Sequence, residues 1–600
     1  MSGHTFQVDL RGIVDLLSHH LYSSPRVYIR ELMQNSVDAV TAHRRLDPAV
    51  AGRIRIEPSE TTGDGSLRVH DDGVGLTEAQ VHELLATIGG SAKRDDLGYA
   101  RHEFLGQFGI GLLSCFLVSD HIEVRTRSAA EPDAPAVVWR GTSDGRYTVD
   151  EGPADTAPGT TVTLLPRPGA ERWLSGPVVR ELVEEYGGLL PHPVSVADET
   201  VTCGGPLWLS EFADPGARKH ALLQYGERLL GRRPFDVIDL EVRQAGLTGV
   251  AFVLAEGAHP SQQGRHRVYL KRMLLGDRTE RLLPDWAFFA HCVVDTSELR
   301  PTANREQLYD DDLLHSTREA LGTRLRNWLM DLARTAPDRL GRFLTVHGHA
   351  VLALAVHDDD MLRLVYEWLP LRTSDGPVTL ADFGRRHRRF LYCGTHEEFG
   401  ELSAIAAAQG LGLVDGGTAY TEEILGRLPR LLPGVEVRRL DPAELATTFA
   451  EVDGGPGTER FLEAARAALH TLGCTPQMRA FEPPTVPALY LESVTWRTYT
   501  EEVEARAQAT DAWSALLGTP ASEPVDARDV LMLNHHNPLV RRMLSLTDPE
   551  LVRLAVRVLH GQTLLTGHRP LRPADTAALS RSFLGLLDRA VRGAEQKEEK

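Results

Sequence analysis

Residues 28–40 read YIRELMQNSVDAV, and this stretch predicts a helix over residues 27–42. Glu31, Asn35 and Asp38 are spaced i, i+4 and i+7, so they share one stripe of that helix, opposite Ile29 and Met33. An ordinary amphipathic helix with a solvated polar face explains the pattern equally well when it is taken alone. The residue types favour a site, because a carboxylate and a carboxamide four residues apart can serve as a general base and a metal ligand.

A second candidate element follows a predicted strand pair. Residues 53–57 (RIRIE) and 67–71 (LRVHD) alternate as short strands do, and Asp71-Asp72-Gly73-Val74-Gly75 comes directly after the second strand. Asp71 is placed to accept a hydrogen bond from a base amine, and the glycines let a ligand approach the backbone. A plain β-turn is the alternative, since Asp-Gly is a common turn dipeptide. Thr77 and Gln80 form a capping box that predicts a helix over residues 78–88.

Two further elements complete the set. Gly106-Gln107-Phe108-Gly109-Ile110-Gly111 precedes an apolar run, and glycines that open a helix offer backbone N–H groups to phosphate oxygens. This pattern lacks the Lys-Ser/Thr of a P-loop and the βαβ context of a Rossmann fingerprint. Gly159-Thr160 leads into TVTLL, where the threonine hydroxyl could support the same base and a hairpin turn is the alternative.

Composition excludes several classes of protein. The chain has 600 residues, a net charge of −18, 42% hydrophobic and 25% charged residues, which is ordinary for globular domains. The acidic balance disfavours a general nucleic-acid-binding role. Five separated cysteines without CxxC spacing indicate neither a zinc site nor a disulfide framework. The sequence lacks a signal-peptide core and an apolar membrane span, so it predicts a soluble cytoplasmic protein.

The pattern along the chain predicts an α+β protein of three domains. Residues 1–202 mix helices with hairpin-like strands, and residues 206–452 alternate strands such as 268–275 with helices such as 313–333. The linker Asp453-Gly454-Gly455-Pro456-Gly457 separates these from residues 458–600, which read as mostly helical with a frayed tail. The helices predicted in this last part span 458–470, 500–517, 548–560 and 577–592.

Taken together, the four N-terminal elements resemble the nucleotide-binding fold shared by gyrase-type topoisomerases, histidine kinases, mismatch-repair ATPases and ninety-kilodalton heat-shock chaperones. Two segments are most similar in sequence to the chaperones, whose bacterial members are called HtpG. They are FLGQFGIGLLSCFLVSDHIEVRTR (104–127) and GTTVTL (159–164). VVDTSELRPTANREQL (293–308) resembles their middle domain and LMLNHHNPLVRR (531–542) their C-terminal domain. The resemblance implies an N-terminal Bergerat (GHKL) ATPase α/β sandwich, an α/β middle domain and a mostly helical C-terminal dimerisation domain.

The resemblance also implies roles for particular residues. Glu31 would be the general base, Asn35 would orient Mg²⁺, and Asp71 would contact the adenine of ATP. Arg305, from the middle domain, would reach the γ-phosphate. By the same resemblance, Asp38, Gly75 and Thr160 would line the pocket for the base. Gly106, Gly109 and Gly111 would lie against the phosphates.

The chain departs from the family pattern at several positions, and these departures concern the rate of hydrolysis. The predicted lid, about residues 89–105, is short, and Gly90 stands where the family usually has lysine. Leu84 occupies a position that is often polar, Thr302 one that is commonly Asn, and Tyr309 one that is commonly Gln. Cys115 is read as a buried small residue, with a redox-sensitive thiol as the alternative.

The function that the resemblance implies is that of an ATP-dependent molecular chaperone. Such a protein would be a homodimer held by its C-terminal domain, and it would close on unfolded or partly folded client proteins, with no nucleic-acid or membrane partner. Two alternatives stay open at this point. One is a DNA-repair or topoisomerase-like ATPase of the same GHKL type, and the other is an ATP-binding scaffold with little hydrolysis.

Overall fold

A computed structural model describes residues 24–85, 111–202, 204–257, 266–302, 306–492, 528–567, 569 and 571–598. The chain folds into two compact units, residues 1–336 and residues 337–600. Helices and sheets are mixed in both units, which confirms the α+β class. The predicted lid at 89–105 and the predicted helix at 500–517 lie outside the described residues.

The first helix, α1 (Val27–Leu46), confirms the predicted helix and extends it by one turn. It is buried along most of its first half, including Arg30, Glu31 and Gln34. The alternative of an ordinary amphipathic helix with a solvated polar face is therefore wrong at Glu31, because the helix is covered on that side too. Helix α2 (Glu78–Leu84) begins at the predicted capping box, in which Thr77 and Gln80 each accept a hydrogen bond from the other's backbone N–H.

Helix α1 packs on one face of an eight-stranded sheet. The strand order is β5-β4-β3-β6-β2-β1-β7-β8, and every neighbouring pair is antiparallel except β1 with β7. Alternate residues such as Ile54, Val69 and Val124 enter the core beneath α1. Helix α3 (Gly176–Gly187) packs against the same core. The strands are β1 (Ile54–Glu57), β2 (Leu67–Asp71), β3 (Ser119–Arg127), β4 (Val137–Thr142), β5 (Tyr147–Glu151), β6 (Gly159–Pro166), β7 (Val194–Val196) and β8 (Glu199–Thr200).

The rest of the first unit contains a five-stranded sheet of order β12-β11-β13-β10-β9, with helices α4 (Pro215–Leu230) and α5 (Asp312–Thr335). Helix α5 confirms the helix predicted over 313–333. The single strand predicted over 268–275 is wrong, because Lys271 and Arg272 adopt positive φ angles of 50° and 71° and turn the chain into a hairpin. The strands are β9 (Asp236–Val242), β10 (Leu247–Val253), β11 (His266–Leu270), β12 (Met273–Thr279) and β13 (Ala290–Thr296).

The second unit opens with helices and a five-stranded sheet of order β15-β14-β17-β16-β18, in which β16, β17 and β18 are parallel. Parallel strands joined by helices are the α/β arrangement. The strands are β14 (Pro370–Thr373), β15 (Gly376–Thr379), β16 (Arg389–Cys393), β17 (Leu413–Asp415) and β18 (Glu436–Arg439). The helices are α6 (Pro337–Ala355), α7 (Asp359–Trp368), α8 (Leu380–Arg386), α9 (His396–Ala408), α10 (Thr421–Leu431) and α11 (Pro442–Thr447).

The last part of the chain is mostly helical and also holds a four-stranded sheet of order β19-β20-β22-β21. The strands are β19 (Ala450–Glu451), β20 (Cys474–Ala480), β21 (Ala488–Leu491) and β22 (Asp529–Asn534). The helices are α12 (Pro456–Leu469), α13 (Pro538–Leu544), α14 (Pro549–Thr566) and α15 (Pro573–Glu598). Helices α12, α14 and α15 confirm three predicted helices. Helix α15 extends to Glu598, into the segment predicted as a frayed tail.

The linker at 453–457 connects segments that share one core. Phe449 before the linker stacks on Phe481 after it, with ring centroids 4.5 Å apart. Strand β19 also pairs with β20 across the linker. The Gly/Pro signal therefore marks a tight connection between a strand and a helix inside the second unit.

Candidate functional site

The carboxylate of Glu31 is buried in the first unit. Its Oε1 lies 3.4 Å from Nη2 of Arg30, which is also buried. The backbone of Gly111 packs against the other oxygen, since a Cβ on Gly111 would stand 2.5 Å from Oε2 of Glu31. Only glycine fits at this contact without displacing the carboxylate. The structure therefore brings together a helix carboxylate and the last glycine of the Gly106–Gly111 motif.

Asp71 ends β2 beneath the middle of α1. Its Oδ2 accepts a hydrogen bond of 3.1 Å from the Ser36 hydroxyl, and its Oδ1 accepts one of 3.0 Å from the backbone N–H of Gly73. Burial raises the pKa of Asp71 to about 7, although the hydrogen bonds from Ser36 and Gly73 oppose that rise. Near neutral pH this carboxyl group can therefore be present in both protonation states.

The turn after Asp71 is held against α1 by close backbone packing. The backbone N–H of Val74 donates to the carbonyl of Ala39 over 2.9 Å. Gly75 has a φ of +62°, and a Cβ there would stand 1.8 Å from the carbonyl oxygen of Arg127. This position requires glycine for both conformation and space, so the glycine that the sequence singled out has a structural reason.

Thr160 stands beside Asp71 in the sheet, since the two residues are direct partners in the antiparallel register of β2 and β6. The hydroxyls of Thr160 and Thr126 lie 3.0 Å apart, and the Thr126 hydroxyl also accepts from the backbone N–H of Leu76 over 2.9 Å. A chain of hydroxyl contacts thus links β3, β6 and the turn after Asp71. It fixes the edge of the site next to the carboxylate.

The glycine motif does not open an α-helix as predicted. Gly111 begins a 3₁₀ helix over Gly111–Leu117, in which the Ser114 hydroxyl donates to the Gly111 carbonyl over 2.7 Å. Cys115 in this helix is fully buried, and burial raises the pKa of its thiol well above the usual range, with the Glu31 charge adding to the effect. A buried, protonated thiol is a poor nucleophile, which favours the reading of Cys115 as a packing residue.

The structure unites only part of the predicted site. Glu31, Asp71, Thr160, Gly75 and Gly111 lie around α1 and the neighbouring strands. Asn35 is exposed and Asp38 is partly buried on the same helix. Gly106, Gly109 and Arg305 lie outside the described residues, as does Gly90.

Sequence reasoning missed three polar residues of the site. Arg30 and Ser36 flank the predicted residues in the same helix, and Thr126 lies in β3. Ser36 could have been found, because it lies seven residues after Ile29 and three after Met33, which places it on the sheet-facing side of the helix. The pairing of Thr126 with Thr160 depends on strand order, which no local pattern supplies.

Chemically, the site has two parts along one helix. Ser36 lies five residues after Glu31, which is about 7.5 Å along the helix axis. The part at Asp71 offers a buried carboxylate, suited to a ligand amine, in a tight glycine turn. The part at Glu31 offers a buried carboxylate against a glycine backbone, suited to accepting a proton from water.

Comparison with known proteins finds a family model that matches the N-terminal part and relatives that are similar over a longer part of the chain. Residues 22–149 match the model for histidine kinase-, DNA gyrase B- and HSP90-like ATPases. The chain is 28% identical to the chaperone protein HtpG of Desulfitobacterium hafniense over 363 residues, 56% of this chain and 58% of that protein. It is 26% identical to the HtpG of Paramagnetospirillum magneticum over 408 residues, 64% of each chain. With the HtpG of Rhizobium meliloti it shares 26% identity over 446 residues, 68% of this chain and 69% of that protein.

The similarity therefore covers less than two thirds of the first two relatives' own length. The chain is thus similar to HtpG chaperones over this length, and its N-terminal part matches the model for ATPases of the histidine kinase, gyrase B and HSP90 type. Within the described residues, no helix is both long and apolar enough to cross a membrane.

Proposed function

We propose that this chain, which is HtpG-like and carries an N-terminal ATPase domain of the histidine kinase, gyrase B and HSP90 type, is an ATP-dependent molecular chaperone. The observation that carries the proposal is the pairing of Glu31 with the backbone of Gly111, on the helix that also holds Asp71 through Ser36. One helix then positions both the water-activating group and the base-recognising group, so nucleotide binding and hydrolysis share a rigid element.

ATP would lie along α1 with its adenine at Asp71. The ionised carboxylate of Asp71 accepts a hydrogen bond from the exocyclic amine, and Ser36 and Gly73 hold its two oxygens. Asp38, Gly75 and Thr160 line the base pocket. Gly106, Gly109 and Gly111 would meet the phosphates, because backbone N–H groups of such a glycine motif can bind negative charge.

Hydrolysis would use Glu31 as the general base. Its carboxylate takes a proton from water as the water oxygen attacks the γ-phosphorus, and the bond to the β-phosphate oxygen breaks to give ADP and phosphate. Arg30, 3.4 Å from Oε1, fixes the carboxylate from the other side. Arg305 would neutralise charge on the γ-phosphate, as an arginine supplied to a transferring phosphoryl group does.

Mg²⁺ would be held by Asn35 together with the phosphates and water. The donor set fits such an ion, because Mg²⁺ takes oxygen ligands, keeps several waters and is held at nucleotide sites largely by the substrate phosphates. The exposed carboxamide of Asn35 lies one turn from Glu31. The described residues contain no cluster of three or more His, Cys, Asp or Glu side chains that would make a closed cage. When bound, the ion would neutralise phosphate charge.

The working assembly would be a homodimer formed through residues 458–600, with residues 1–202 binding ATP and residues 206–452 supplying Arg305. An apolar stripe on α15 supports this. Phe583, Leu584, Leu587 and Val591 are 47% to 64% exposed and share one face of the helix. A second copy of α15 is the partner that would cover it. Clients would be unfolded or partly folded proteins in the cytoplasm.

The DNA-repair or topoisomerase-like alternative is not favoured, because the relatives found along the chain are HtpG proteins. An experiment distinguishes the ATP-driven chaperone from the alternative, an ATP-binding scaffold with little hydrolysis. A heat-labile test enzyme is warmed with the full chain, and its aggregation is followed by light scattering with ATP, with ADP and with Glu31→Ala plus ATP. We expect wild type with ATP to differ from both other samples. Equal protection in all three would mean that hydrolysis is not coupled, which is the scaffold.

A further inference from the structure

The outer face of the eight-stranded sheet, opposite α1, forms a groove of about 860 Å³. Its floor consists of the residues that alternate with the core, since Arg55, Arg68, Arg125 and Arg140 point outward while Ile54, Leu67 and Val124 point inward. None of these outward residues belongs to the ATP site. The groove is therefore a second surface of the same domain, separated from α1 by the thickness of the sheet.

The lining of the groove has more arginines than carboxylates, in a chain whose net charge is −18. Its lining contains five arginines and three carboxylates. Four of the five arginines already have a carboxylate partner. Arg68 pairs with Asp64 over 2.6 Å, and Arg125 and Arg140 share Glu123 at 3.3 Å and 2.9 Å. Beyond the lining, Arg140 also pairs with Asp150 over 2.9 Å, and Arg146 pairs with Asp144 over 3.6 Å. Among the described residues, no carboxylate lies within ion-pair distance of Arg55. Exposed ion pairs of this kind are weak, so an incoming carboxylate can compete for these arginines.

The spacing of the arginines fits an extended ligand. The strand order places Arg140 in β4 and Arg55 in β1 four strands apart, which is about 19 Å across the sheet. A polypeptide in extended conformation spans that distance with about six residues. A small anion would meet only one or two of these cations.

The floor between the arginines also favours a peptide over a nucleic acid. It carries short hydroxyl side chains, Thr161 and Thr163, and the apolar Leu165. Tyr147 at the margin is the only Phe, Tyr or Trp in the lining. Single-stranded nucleic acids are bound by aromatic platforms on which successive bases stack, and one marginal tyrosine does not provide these.

We propose that this outer sheet face docks an extended acidic segment of a partner protein. The arginines would bind carboxylates at intervals along the segment. The threonine hydroxyls would form hydrogen bonds with its backbone. The site is independent of the ATP site, so it would admit a partner while nucleotide is bound.

The test uses the full chain and a fluorescein-labelled hexaglutamate peptide, followed by fluorescence anisotropy at low salt. The groove variant carries Arg55→Gln, Arg125→Gln and Arg140→Gln, which keep a polar hydrogen-bonding side chain at each position and remove its charge. The control carries Arg228→Gln, Arg233→Gln and Arg243→Gln, which remove the same charge from exposed positions elsewhere in the first unit. Thermal unfolding and ATP hydrolysis are measured on both, to show that fold and ATP site are intact.

We expect the groove variant to bind the peptide about tenfold more weakly than wild type, and the control to stay within about twofold. Hexaserine should not bind, and raising the salt concentration should weaken hexaglutamate binding. Equal binding by the groove and control variants would overturn the proposal. So would arginine-dependent binding of a single-stranded oligonucleotide in the absence of peptide binding, which would change the class of partner.

Discussion

The pKa of Asp71 makes recognition of the base depend on pH. Burial raises this pKa to about 7, and only the ionised carboxylate accepts a hydrogen bond from an exocyclic amine. At pH 6 about one tenth of the free protein is then ionised at Asp71, and at pH 8 about nine tenths. Apparent affinity falls in proportion to the competent fraction. Binding should therefore be about tenfold tighter at pH 8 than at pH 6.

Adenosine is the appropriate ligand for this measurement, because the phosphates of ATP titrate in the same range. Isothermal titration calorimetry at pH 6, 7 and 8 gives the affinity, and repetition in two buffers at pH 7 gives the proton release, expected to be about half a proton per ligand. Asp71→Asn is the control, since a carboxamide does not titrate. Equal affinity of the wild type at pH 6 and pH 8, or an unchanged slope in Asp71→Asn, would refute the reasoning.

Three other changes have defined outcomes. Ser36→Ala removes a hydrogen bond that lowers the pKa of Asp71, so the pH midpoint of adenosine binding should move upward; an unmoved midpoint would contradict this. Gly75→Ala should lower the free energy of unfolding in urea by about 2 kcal/mol or more, because positive φ costs about 1–2 kcal/mol and the Cβ also meets the Arg127 carbonyl. Gly63→Ala is its control, because Gly63 has a φ of +77° and an added Cβ would meet no atom within 4 Å, so the free energy of unfolding should fall only by the cost of the positive φ. Phe583→Asp with Leu587→Asp should shift the mass from light scattering from dimer toward monomer, and an unchanged dimer would place the interface elsewhere.

Local patterns in the sequence predicted the elements that carry the site. The spacing of Glu31, Asn35 and Asp38 predicted α1, and the Thr77–Gln80 box predicted the start of α2, because both signals depend on residues within one or two turns. The same reasoning failed at Lys271 and Arg272, where a hairpin turn is made by two residues with positive φ and without glycine. Such a turn is determined by the pairing of the strands around it.

Burial at the site could not be predicted from periodicity. Periodicity alone left a solvated polar face of α1 open as the alternative, and Glu31 and Arg30 are instead buried, with Glu31 against the backbone of Gly111. The partnership of Ser36 with Asp71 likewise joins residues 35 positions apart in sequence. The strand order that places Thr160 next to Asp71 is also a long-range property. Tertiary contacts determined these features, and the local sequence identified only the residue types.

Steady-state ATP hydrolysis by wild type beside Glu31→Ala, with nucleotide binding measured on both, tests the central claim most directly. Glu31→Gln serves as a second variant, since it keeps the size of the side chain against Gly111 and removes its capacity as a base. We predict slow turnover by wild type and none by either variant, while both variants still bind nucleotide. Turnover that persists in the variants would contradict the role of Glu31 as the base, and no turnover by wild type with binding intact would contradict the ATP-driven cycle.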